Sequence, residues 1–312
     1  MRLRYGRAVL FSIWPTYERS WAEVADLAAF ADRTGWHAFW FADHFMPNTD
    51  DDTPSDGDAL ECWSVLAALA ATTSRVRLTS MVSPVTIHHP VTLAKRAVTV
   101  DHVSGGRVTL GLGAGWQVNE HAAYGFELPT VGERVTRFAE ALQVVHSLLH
   151  AQGRVTSTGA HYPLTDAPLS PAAVQSPLPI LVGTGSPRMM RLTARFADQW
   201  NTWGDPAQLA ERTTLFLAAC DAVDRDPATV WRSAQAMVFL TDDDATTEKV
   251  RTVAPAGRSL VGRPNELIDL IATYVAAGVD EFAVPDFTLG DTMQERRDTL
   301  ERLQAEVLSA FA

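Results

Sequence analysis

Short runs rich in β-branched and aromatic residues alternate along this chain with longer segments in which apolar residues recur at i, i+3, i+4 and i+7. The first kind predicts strands at Ala8–Ile13, His37–Phe41, Val76–Met81, Val108–Leu112, Ile180–Gly183, Gln199–Trp203, Ala234–Leu240 and Glu281–Pro285. The second predicts amphipathic helices, among them Trp21–Arg33, Thr92–Val103, Val131–Leu149, Arg188–Ala197, Pro206–Val223 and Asn265–Ala277. Strand and helix in alternation call for a parallel sheet whose crossovers are the helices. Eight such pairs in 312 residues predict a single (β/α)8 TIM barrel over residues 1–312, because barrels of about 250 residues or more commonly form one domain.

The rhythm breaks from Gly153 to Pro179, where Pro163, Pro168, Pro171, Pro177 and Pro179 leave little room for a helix. A segment this long in a compact domain predicts an inserted loop or hairpin at 153–179 that serves as a lid or binding segment. Thr49–Asp58 and Thr241–Arg258 are two further polar excursions, and the inserted loops are expected at the C-terminal face of the barrel.

Composition then narrows the class. At 46% hydrophobic and 20% charged, the chain reads as an ordinary soluble protein. A formal net charge of −11 repels polyanions and argues against nucleic acid as a partner. An anionic ligand would therefore need a local device, such as the unpaired N–H groups at a helix start. Cys62 and Cys220 lie in apolar, helix-like stretches without CxxC spacing, which predicts neither a disulfide nor a zinc site and fits a reducing cytoplasm. The basic start Met1–Arg4 leads into a short apolar run ending at Trp14-Pro15 without a cleavage site, and no window approaches the ~18–20 apolar residues of a membrane span. The expectation is a cytoplasmic protein with no signal peptide and no membrane partner.

Phe41-Ala-Asp-His-Phe45 ends the second predicted strand, placing Asp43 and His44 where barrel enzymes keep their active sites. An imidazole can pass a proton near neutrality with a carboxylate beside it, and a strand-end histidine that is only hydrogen-bonded fits the same residues. Gly111, Gly113 and Gly115 let the fourth strand's end approach a ligand closely, or fit a crowded barrel interior. Leu181 to Arg188 runs from the fifth strand into a helix: Ser186 suits the N-cap and Pro187 the first position, so Gly183–Ser186 forms an anion site or ordinary punctuation. The absence of GxGxxG removes support for a Rossmann site. Asp43, His44, His88 and His89 raise a metal-dependent barrel hydrolase, but neither HxH nor HExxH spacing is present and no metal site is predicted. The acidic loop Asp50–Asp58 fails as a calcium loop, since Trp63 falls where a bidentate Glu belongs.

Trp40-Phe-Ala-Asp-His-Phe45, Thr79-Ser-Met-Val-Ser-Pro84, Leu110-Gly-Leu-Gly-Ala-Gly-Trp116 and Glu120-His-Ala-Ala-Tyr-Gly125 together resemble the luciferase-like monooxygenase superfamily. The resemblance covers nearly the whole chain and is strongest to the deazaflavin-dependent oxidoreductase branch. It implies coenzyme F420 as cofactor, with FMN as the alternative, and hydride transfer to or from a small organic substrate. Asp43 is then expected to bind the cofactor and His44 to assist proton transfer. A bulge with a non-prolyl cis peptide is expected under the ring around Ser80-Met81, with further cofactor contacts at Ser83 and Asn119. Gly183, Thr184, Gly185 and Ser186 correspond to the phosphate-binding loop. Sugar-phosphate dehydrogenases of the family carry a Glu directly after the Gly-x-Gly of strand four, where this chain has Trp116. Trp14, Trp116, Trp200 and Trp203 all sit near predicted strand ends, so an aromatic mouth suits a hydrophobic or unsaturated substrate better, and core packing explains any single Trp equally well. FMN-dependent oxygenation, a metal-dependent hydrolase and a non-catalytic binding barrel are the rival readings, and a homodimer is allowed because family members often pair.

Overall fold

In the computed structural model, which describes residues 9–151 and 153–311, eight parallel strands close into a ring. They are β1 (Leu10–Trp14), β2 (Ala38–Phe41), β3 (Arg77–Ser80), β4 (Val108–Gly113), β5 (Ile180–Gly183), β6 (Gln199–Trp203), β7 (Trp231–Gln235) and β8 (Glu281–Pro285). Consecutive strands are neighbours all the way round, and β8 pairs with β1. Ala8 and the basic start lie outside the described residues.

The alternation within each strand explains why the runs look apolar throughout. Phe39 and Phe41 of β2, Ile180 and Val182 of β5, and Phe282 and Val284 of β8 face the helices in the main core. Ala38, Trp40, Leu181 and Ala283 point into the barrel, where they pack with Met81. Strands buried on both faces carry little polar alternation. Among the polar groups held in this interior, Glu281 is buried and accepts from Ser12 Oγ, Trp40 Nε1 and Trp231 Nε1, so its desolvation is offset by three donors.

Around the ring run α1 (Trp21–Thr34), α2 (Cys62–Thr72), α3 (Pro90–Ser104), α4 (Val118–Tyr124), α5 (Val131–His150), α6 (Pro187–Phe196), α7 (Pro206–Asp221), α8 (Asp244–Val253), α9 (Pro264–Ala276) and α10 (Met293–Glu306). Ser20 with Glu23, Thr130 with Glu133, and Thr292 with Glu295 close capping boxes that start α1, α5 and α10. Among the described residues no helix is long and apolar enough to cross a membrane.

Two expectations need correction. The seventh strand lies at Trp231–Gln235, earlier than Ala234–Leu240; the chain then breaks at Ala236, and Met237–Leu240 pairs with Ser259–Gly262 in a separate two-stranded sheet. The insertion at 153–179 is no cover for the mouth. Its hairpin joins Val155–Ser157 to Leu164–Ala167, and buried Asp101 of α3 accepts the N–H groups of Val174 and Gln175. Gln175 also bonds Arg77 and Val108, the first residues of β3 and β4, so the segment braces the outside of the barrel down to its N-terminal end.

Candidate active site

At the C-terminal ends of the strands a cavity of about 650 Å³ opens to solvent. Trp14, Met81, Val82, Trp116, Trp203 and Phe287 make much of its wall apolar. The peptide Met81–Val82 is cis, one residue beyond the expected Ser80-Met81 position. Val82 projects beside two glycines: a Cβ on Gly113 would stand 2.6 Å from Val82 Cγ2, and one on Gly183 3.5 Å from Val82 Cγ1. On Gly111 it would meet the Ser80 carbonyl, so this strand end needs glycine for packing while the mouth above stays clear.

His44 lines the cavity with its side chain largely buried between Tyr17 and Trp116, at ring-centroid distances of 5.3 and 5.5 Å. Its Nδ1 lies 2.9 Å from Glu120 Oε1, while Glu120 Oε2 accepts the Phe45 N–H at 2.8 Å. Glu120 is 1% exposed, so the pair sits where charge interacts strongly. With Nδ1–H donated to the carboxylate, Nε2 is the nitrogen left for a ligand. Burial first, and then the neighbouring Glu18, push the Tyr17 hydroxyl up to about 12, so it stays protonated.

Glu120 is a candidate site residue that sequence reasoning misses. The signal lies in the Glu120–Gly125 motif, but only α4 reveals that its first carboxylate reaches back to the end of β2.

Several expected cofactor contacts stand one layer behind the wall. Asp43 is 1% exposed; its Oδ2 accepts the Ser83 hydroxyl and lies 3.1 Å from His88 Nε2. Ser83 also accepts Trp63 Nε1, and Ser80 bonds the Gly111 N–H and carbonyl. Asn119 is buried and gives its amide to the carbonyls of Pro47 and Thr53. Asp43, Ser80, Ser83 and Asn119 thus support the bulge and the loop above it, with their side chains turned away from the cavity. His44, Met81, Gly183 and Thr184 do line it.

Gly185 and Ser186 are exposed at the rim. Ser186 caps α6 by accepting the Met189 N–H, with Pro187 in the first turn. Arg212 flanks this loop, its Nε 3.0 Å from where a Gly185 Cβ would stand, and Arg258 lies over Trp203 at 5.7 Å. Helix start and guanidinium groups together give a cradle for an anion at the cavity's edge.

The metal reading does not assemble. Among the described residues no three His, Cys, Asp or Glu side chains are grouped to hold an ion. His44 is engaged by Glu120, and His89 caps α3 through the Val91 N–H. Trp200, grouped with the mouth tryptophans in the sequence, packs on Phe216 in the outer layer.

The sequence profile of the luciferase-like monooxygenase family matches residues 4–256. The F420-dependent hydroxymycolic acid dehydrogenase of Mycobacterium tuberculosis is 31% identical over 219 residues; the match spans 69% of this chain but only 58% of that relative's length. The F420-dependent glucose-6-phosphate dehydrogenase of Kineococcus radiotolerans is 32% identical over 238 residues, 75% of this chain and 68% of the relative. The coenzyme F420-dependent tetrahydromethanopterin reductase of Methanopyrus kandleri matches in structure with a TM-score of 0.81 at 19% identity, over 98% of this chain and 100% of that one, a likeness of fold.

Proposed function

The chain belongs to the luciferase-like monooxygenase family, and from that premise we propose that it is an F420-dependent oxidoreductase acting on a small substrate with an apolar body. The observation that carries the reading is the His44–Glu120 pair opening into an apolar cavity with an anion cradle at its edge. The two relatives named above are F420-dependent by name, which favours the deazaflavin over FMN.

The residues fit such a cofactor. A planar ring needs a flat apolar seat with nothing projecting beside it, and Val82 between Gly113 and Gly183 offers one. Asp43, Ser83 and Trp63 brace that seat from behind. An anionic tail needs N–H groups and cations, which the start of α6 beside Gly185 and the Arg212 guanidinium supply. The deazaflavin, when bound, provides a hydride donor or acceptor that reacts poorly with oxygen.

The protein's part is orientation, water exclusion and proton transfer. Neutral His44 accepts a proton from a substrate hydroxyl at Nε2, and in the reverse direction the imidazolium gives one to a carbonyl oxygen. Glu120 holds the ring's orientation and stabilises the imidazolium through its buried charge. Tyr17 and Trp116 flank the imidazole and restrict water. The substrate is a small molecule, with no nucleic acid or membrane as partner.

The test is turnover under argon. Reduced F420 with a panel of apolar ketones and aldehydes should be reoxidised only with protein present. Product formation solely with reduced FMN and oxygen, with oxygen incorporated, replaces this reading by the monooxygenase one.

A further inference from the structure

Two cavity residues have no part in proton transfer or in the seat under the ring. Asn201 of β6 and Gln235 of β7 both line the cavity, yet they are only 3% and 1% exposed. Asn201 Nδ2 donates to Gln235 Oε1 at 2.8 Å and to Ser233 Oγ at 3.0 Å, and Ser233 Oγ donates on to the Trp200 carbonyl. Both amide groups are therefore locked to each other and to the barrel. Asn201 Oδ1 and Gln235 Nε2 are left without a partner among the described residues. Turning both amides over would exchange their roles and still present one donor and one acceptor.

Strand order says what this pair faces. In a ring of eight, β6 stands across from β2, which carries His44 towards the cavity, and β7 stands across from β3, which leads into Val82. A ring seated on Val82 leaves the substrate between that ring and the β6–β7 wall, within reach of His44. Trp14, Trp203 and Phe287 enclose the same space with apolar surface.

We propose that Asn201 and Gln235 form a substrate-recognition floor that selects a neutral ligand ending in an amide edge, a carboxamide or lactam that offers an N–H and a C=O side by side. This rests on the F420 reading above, since that reading places the ring on Val82. A fixed donor beside a fixed acceptor discriminates against isosteres: a carboxylate has only acceptors, and a methyl ketone lacks the donor. Each mismatch strands a buried polar group.

Three probes of one shape test it by calorimetry on protein holding oxidised F420: benzamide, acetophenone and benzoate. Benzamide should bind about 10-fold more tightly than either of the others. Asn201→Leu and Gln235→Leu, which keep volume and lose polarity, should bring benzamide and acetophenone to within about 2-fold, with F420 affinity changed by less than about 3-fold. Gln235→Glu keeps the shape and turns the donor into an acceptor. Should the leucine variants fail to fold, it still decides: benzamide binding falls and cationic benzamidine gains about 10-fold over wild type. Equal affinities for the three probes in wild type overturn the proposal. So does a loss of F420 affinity in the variants with the benzamide preference intact, which would assign the pair to the cofactor. Wild type that binds no F420 defeats the parent reading along with it, whereas F420 binding without amide preference defeats this inference alone.

Discussion

Replacing Glu120 with Gln keeps the side chain's shape and removes its charge, and the geometry around His44 fixes how the site responds. The carboxylate accepts the His44 Nδ1–H at 2.9 Å and the Phe45 N–H at 2.8 Å. An amide has one oxygen, and the backbone N–H of Phe45 has no other tautomer. The amide oxygen therefore stays with Phe45, and its NH2 turns to His44 Nδ1. That forces the ring's proton onto Nε2, so the neutral imidazole offers the cavity a donor where a proton acceptor is needed. The lost charge-assisted bond is worth about 1.5–3 kcal/mol, which corresponds to about a 10- to 150-fold slower chemical step. Single-turnover stopped flow with bound cofactor, followed by F420 absorbance, measures that step apart from binding. The F420 dissociation constant should move by less than about 3-fold. A hydride-transfer rate within about 2-fold of wild type would refute the assignment of Glu120 as the group that orients His44.

Three more substitutions probe the chemistry, the ring seat and the scaffold. His44→Ala should slow the chemical step by about 10²-fold or more with little effect on cofactor affinity; an intact rate with weakened F420 binding makes His44 a binding residue instead. Gly113→Val places a Cβ 2.6 Å from Val82 Cγ2 and drives that side chain from its position. F420 affinity should fall by about 1–3 kcal/mol, the usual cost of overpacking, and an unchanged titration would show that the ring sits elsewhere. Burial raises the Asp32 carboxyl, but the N–H groups of Val76, Arg75 and Ser74 with the Ser74 hydroxyl outweigh it and hold it below the ordinary carboxylate range. A folded value below the unfolded one gives stability that is complete above the unfolded value of about 3.9 and lost as pH falls through the folded value. Asp32→Asn should therefore lower Tm near about pH 6, and the gap to wild type should close towards about pH 2; a gap constant over that range contradicts the role.

Much of this barrel can be read from periodicity because its strands and outer helices obey different repeats. α1, α5 and α6 begin or end within a residue of the expected windows, since capping residues and prolines mark their ends. The seventh strand escapes such a reading because Ser233 and Gln235 carry polar groups into the barrel interior, while the apolar run after it belongs to a different sheet. α10 is polar but for a few positions such as Leu300 and Leu303, so its inner face carries little signal. At the site, His44 and the Gly183–Ser186 loop are legible because strand ends and helix starts are local features. Glu120, Asn201 and Gln235 are not, because their meaning comes from partners on other strands or helices. Asp43 shows the converse: adjacency to His44 suggests a shared role, yet successive residues of an extended chain point to opposite sides, and the carboxylate lies behind the wall with Ser83.

The measurement that bears most directly on the account is a fluorescence titration of the purified protein with oxidised F420 and, separately, with FMN. F420 should bind with a dissociation constant that is roughly micromolar or lower, about −8 kcal/mol, and more tightly than FMN. Tighter binding of FMN in the same assay would contradict the account and make the barrel a flavin monooxygenase.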